Sequence, residues 1–107
     1  MQVGLVGDLQ IAPAAFSPNG DGVNDAVVIG FVLFKTQGIQ PRVQILDLAG
    51  RLVAQPMGRL VDRRWRFAWS GGDLGGERVP PGHYICRVDP RAASGNESVL
   101  RSVVVAY

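Results

Sequence analysis

The sequence predicts an all-β domain of two packed antiparallel sheets, with about seven short strands. Three observations carry this. Turn-forming clusters recur every eight to twelve residues along the 107-residue chain. Between them lie short segments in which apolar and polar residues alternate, or which are rich in β-branched and aromatic residues. No segment carries a convincing 3.6-residue apolar period. A small open barrel satisfies the same pattern, and composition does not separate the two. The length suits one domain spanning residues 1–107.

Residues Val3 to Ile11 read as a first, weakly patterned strand ended by Pro13. Phe16 to Asp25 is a block of Pro, Gly, Asn and Asp, where neither helix nor strand is expected. Ala26 to Phe34 follows as an apolar strand. Val27, Ile29, Phe31 and Leu33 share one face, and Val28, Gly30, Val32 and Phe34 the other. Such a segment is covered on both sides or lies near a sheet centre. Arg42 to Leu48 is the next strand, with Val43 and Ile45 facing the same way. Asp47 to Arg51 reads as a hairpin turn, with Gly50 in the left-handed conformation and the Asp47 carboxylate accepting backbone N–H bonds. Arg51 to Ala54 returns, and Pro56, Gly58 and Asp62 mark a loose connection.

Arg64-Trp65-Arg66-Phe67-Ala68-Trp69 is the clearest alternation. A period of two sends the three rings to one face and the arginines to the other. Burial of such rings yields roughly 1.5–3 kcal/mol per large side chain as an upper transfer figure. Ser70 to Glu77 is a glycine-rich loop, and Val79 to Gly82 a tight turn. The strand His83 to Val88 directs Tyr84, Cys86 and Val88 inward. Asp89 to Glu97 is a polar hairpin loop, and Val99 to Tyr107 the closing strand, in which Arg101 falls on the face of Val99, Val103 and Val105.

Charge and chemistry narrow the function classes. The net charge of +2 gives no case for nucleic acid, and no stretch is apolar enough for a membrane span. Met1-Gln2-Val3-Gly4 does not read as a signal peptide. Cys86 is the single cysteine, so the chain cannot close a disulfide on itself, and His83 is the single histidine. On a strand these two point to opposite faces, which separates a nucleophile from its base. The glycine loops match no phosphate-binding spacing. The expectation is a non-enzymatic module that needs no cofactor.

Two sites stand out. Asn19, Asp21, Asn24 and Asp25, with Gly20 and Gly22 between them, supply oxygen ligands for calcium. The one-and-three spacing of Asn19 and Asp21 fits a calcium loop, but Val23 stands at the fifth position and no glutamate at the twelfth. A metal-free turn pinned by the same carboxylates is the alternative. Separately, Arg64, Arg66 and Arg87 are read as a surface for an acidic protein or glycan, against the plainer reading of solvated strand faces.

Three blocks together resemble a known family: Phe16-Ser17-Pro18-Asn19-Gly20-Asp21-Gly22-Val23-Asn24-Asp25, then Val43 to Val53, then Trp69 to Tyr84. They look like the immunoglobulin-like domains of the flagellar hook-capping type. The C-terminal domains of gliding-motility and cell-surface proteins are related to these. Ser70 departs from an Asp usual there, and His83 from a Thr. The resemblance implies an immunoglobulin/fibronectin-III-like sandwich. It also implies a structural or adhesive spacer beside neighbouring domains of a larger extracytoplasmic polypeptide. A secretion-sorting role and a small binding module are the alternatives.

Overall fold

The computed structural model describes residues 6–13, 15–17, 25–33, 40–89 and 98–106. These form nine strands: β1 (Val6–Ala12), β2 (Ala15–Phe16), β3 (Val27–Leu33), β4 (Arg42–Leu46), β5 (Leu52–Ala54), β6 (Gly58–Val61), β7 (Arg64–Trp69), β8 (Gly82–Asp89) and β9 (Val99–Val105). No helix occurs among the described residues. One sheet has the order β1-β3-β7-β6 and the other β2-β9-β8-β4-β5.

The strand count corrects the expected seven, through two short additions. The two-residue β2 pairs in parallel with the end of β9, so the second sheet is not purely antiparallel. The 58–61 segment, expected as loose connection, is β6, an edge strand paired with β7 from Gly58↔Phe67 to Val61↔Arg64. A two-residue turn closes this hairpin, with Asp62 at φ 50° and Arg63 at φ 67°. Positive φ at both central residues suits the right-handed twist of the flanking strands. Asp-Arg is a poor advertisement for such a turn, which usually carries Asn-Gly.

Alternation builds the core. Val27, Ile29 and Phe31 of β3 are fully buried, whereas Val28 between them is 40% exposed. β3 is therefore a central strand with one face toward solvent, the second of the two expected arrangements. The side chain of Leu33 and residue Phe34 lie outside the described residues. Val43 and Ile45 of β4, Tyr84, Cys86 and Val88 of β8, and Val103 and Val105 of β9 complete the core from the opposite sheet.

Aromatic contacts tie the sheets together. Trp69 of β7 meets Phe16 of β2 edge-on at 5.4 Å between ring centres, and Tyr84 of β8 at 5.7 Å. Phe31 and Phe67 stack at 5.7 Å within the first sheet. Each polar ring end finds a partner: the Trp69 indole N–H donates to the Gly72 carbonyl at 2.8 Å, and the Tyr84 hydroxyl to the Pro80 carbonyl at 2.7 Å. Unpaired, either group would add a desolvation cost of about 1–3 kcal/mol. The triplet of rings is not uniformly interior. Phe67 and Trp69 are buried, while Trp65 is half-buried and packs against the core from its margin.

Candidate functional site

The expected arginine surface divides between the two sides of the molecule. Trp65, Phe67 and Trp69 turn inward on β7, so Arg64 and Arg66 stand on the outer face of the first sheet. Arg87 lies between inward-facing Cys86 and Val88 on β8, which places it on the outer face of the other sheet. There its Nε donates to Ser98 Oγ at 3.2 Å. Arg64 is committed to an ion pair with Asp8 at 2.6 Å. Arg66 is exposed, and it lies directly opposite Arg59 of β6. Arg59 belongs to the sequence cluster of Arg59, Arg63, Arg64 and Arg66, which could pair with carboxylates or phosphates, though it is not one of the three arginines read as a binding surface.

Two shallow depressions flank Arg66 on this outer face. One, of about 320 Å³, is bounded by Gln10, Ala12, Val28, Gly30 and Arg64. The other, of about 350 Å³, is bounded by Val28, Met57, Arg59 and Ala68. Among the described residues neither Arg59 nor Arg66 has an ion-pair partner.

A larger depression, of about 580 Å³, opens between two loops at one end of the molecule. The loops are built alike. In Asp47-Leu48-Ala49-Gly50-Arg51, Asp47 Oδ1 accepts the amides of Ala49 and Arg51, each at 2.9 Å. In Asp73-Leu74-Gly75-Gly76-Glu77, Asp73 Oδ1 accepts the amides of Gly75 and Glu77, each at 2.9 Å. The fourth residue of each is a glycine in the left-handed region, Gly50 at φ 86° and Gly76 at φ 85°. Its amide donates to the carbonyl of the leading aspartate. The second residue of each is an exposed leucine, Leu48 at 70% and Leu74 at 66%. Sequence reading found the first turn and its carboxylate. The repeated Asp-Leu-x-Gly-charge pattern is the signal for the second, which composition alone shows only as a glycine-rich loop.

Those hydrogen bonds determine what the carboxylates can do. Asp47 also accepts the Arg51 Nε at its second oxygen, 2.9 Å away. The Arg51 amide and then its guanidinium hold the Asp47 carboxyl below the usual carboxylate range. A group so occupied makes a weak base and a poor metal ligand. Cys86 is fully buried, and burial pushes its thiol up to about 12. His83 is exposed on the opposite face of the same strand. Among the described residues no three His, Cys, Asp or Glu side chains converge.

Asn19, Asp21 and Asn24 lie outside the described residues. Asp25, half-buried just ahead of β3, is the one member of that set the structure places. No helix among the described residues is long and apolar enough to cross a membrane. Comparison with protein-family models and with curated proteins finds no match to this chain.

Proposed function

We propose that the chain is an immunoglobulin-like module, serving as a structural or adhesive spacer in a larger extracytoplasmic bacterial protein. The observation that carries this reading is the strand order. In immunoglobulin sandwiches one sheet runs A-B-E-D and the other C-F-G. Here β1-β3-β7-β6 takes the first order and β4-β8-β9 the second, with β2 and β5 added at the two edges. The Tyr84-to-Pro80 hydrogen bond supports it as well. A tyrosine bonded to backbone a few residues upstream, at the corner leading into strand F, is a feature of that architecture. The three sequence blocks that resemble hook-capping and cell-surface domains point the same way.

The chemistry favours a module without catalysis. Asp47 spends both oxygens, and Asp73 one, on their own loops, and the thiol is buried. Calcium enters through Asn19, Asp21, Asn24 and Asp25. Metal-free protein should melt higher on addition of millimolar calcium, and an unchanged melting curve removes the metal from the reading.

The deciding experiment is location. Protease shaving of intact cells of the source bacterium, followed by detection with an antibody to this chain, should remove the signal from the cell surface. Recovery of the intact polypeptide in the cytoplasmic fraction would overturn the proposal.

A further inference from the structure

Each sheet ends in strands whose outer backbone groups need an answer, because an open ladder invites another strand. Three of the four edges have one. β1 carries a bulge between Gly7 and Gln10, with Asp8 at φ 50°. β5 is covered where the Leu74 amide donates to the Val53 carbonyl at 2.9 Å. β9 is covered at its end by β2, and beyond that it sets Arg101 on the inward-facing side, opposite Cys86.

β6 has none of these devices. Its register with β7 is regular from Gly58 to Val61, and no described residue bonds to its other side. The two-residue turn makes Val61 and Arg64 a hydrogen-bonded pair, so alternate residues, Gly58 and Leu60, aim their N–H and C=O groups away from β7. The surroundings are apolar and positive. Met57 is 92% exposed, Leu60 56% and Val61 43%. The hairpin holds Arg59, Arg63, Arg64 and Arg66 against Asp62 alone, and among the described residues only Arg64 is neutralised from elsewhere, by Asp8. Arg59 and Arg66 face each other across the ladder, an apposition that costs stability until an anion separates them.

We propose that the open edge of β6 takes up an extended acidic segment of a protein partner as an added strand. Backbone bonds to Gly58 and Leu60 hold the segment, a carboxylate meets Arg59, and apolar neighbours on the alternate face cover Leu60. The free ladder and the exposed Met57, Leu60 and Val61 favour a peptide over a polyanionic sugar, which would use the arginines alone.

The test is an amide-resolved NMR titration of the whole chain. The probes are a short peptide of alternating valine and glutamate, the same peptide with lysine for glutamate, and oligogalacturonate. Saturation with the glutamate peptide should shift the Gly58 and Leu60 amides and slow their hydrogen exchange, while the lysine peptide leaves them unchanged. Arg59→Glu should weaken binding roughly tenfold or more. Leu60→Pro, which removes one outward N–H at an edge that tolerates proline, should abolish it without lowering cooperativity of the melt. Four results overturn the proposal: no response at β6, equal binding of the lysine peptide, a response at Arg59 and Arg66 to the sugar alone, or exchange protection that grows with protein concentration without peptide.

Discussion

The Arg64 guanidinium spans a whole strand to reach Asp8. Arg64 sits on β7 and Asp8 on β1, which are not neighbours; β3 runs between them. One guanidinium nitrogen contacts the Asp8 carboxylate at 2.6 Å and the other the Asp8 carbonyl at 3.0 Å. The side chain passes over Gly30, where an added Cβ would lie 3.5 Å from it. The bulge in β1 puts Asp8 within reach. Three features scattered over 56 positions of sequence thus form one clip across the sheet.

The clip should be measurable but modest, since Asp8 is 61% exposed and solvent screens the pair. A double-mutant cycle with Arg64→Ala and Asp8→Asn should return a coupling of about 0.5–1 kcal/mol, shrinking at high salt. Gly30→Leu, which displaces the guanidinium, should erase that coupling. A coupling indistinguishable from zero in dilute buffer would show that the pair does not hold β1.

Gly58 presents a sharper constraint. It lies directly opposite Phe67, whose ring covers the space where a side chain would stand. A Cβ there would fall within the ring's van der Waals radius, and Phe67 is buried against Phe31 and Trp65. Gly58→Ala should cost about 1–3 kcal/mol, as overpacking of a filled core does. Chemical denaturation measures it. Gly58→Ala in a Phe67→Leu background should cost less.

These positions show what was readable in the sequence. Trp65, Phe67 and Trp69 announced β7, because strict alternation has one structural meaning, and Cys86 followed from parity with Tyr84 and Val88. β6 was hidden: Gly58, Arg59, Leu60 and Val61 do not alternate, and its glycine is there for the Phe67 ring on the neighbouring strand. β2 was hidden because two residues have no period. Residue type alone groups Arg87 with Arg64 and Arg66, and only the assignment of strands to sheets sets them on opposite sides.

The twin loops should respond as twins. Gly50 and Gly76 share a left-handed backbone that an L-residue adopts at a cost of about 1 kcal/mol or somewhat more. Gly50→Ala and Gly76→Ala should therefore lower stability by similar amounts. Nothing lies within 4 Å of either added Cβ, so backbone strain alone sets the effect. A large difference between the two in denaturant midpoints would mean the loops are alike in form only.

Acid should release the first loop. The Asp47 carboxyl is held below its ordinary value by the Arg51 amide first, with the Arg51 guanidinium assisting. A depressed folded value means the contribution is full above the unfolded carboxyl pKa of about 3.9 and is lost as pH falls through the folded value. The Ala49 and Arg51 amide resonances should move together over that acidic window, tracking the Asp47 carboxylate carbon. Asp47→Asn should keep the turn but remove the pH dependence.

Cys86 supplies the opposite sign at high pH. Burial raises its thiol from 9.0 to about 12, so the folded state disfavours the thiolate that the unfolded chain forms readily. Stability from this group is complete below the unfolded value and is lost as pH rises from there toward the folded one. Native protein should resist a thiol reagent near pH 8, and labelling should require opening of the β4, β8 and β9 ladder, because Cys86 lies between Ile45 and Arg101. Raising the pH above about 9 should destabilise the parent chain more than a Cys86→Ala variant, whose difference from the parent isolates the thiol from other alkaline titrations. Rapid labelling of the folded chain at a rate insensitive to denaturant would contradict a thiol enclosed between the two sheets.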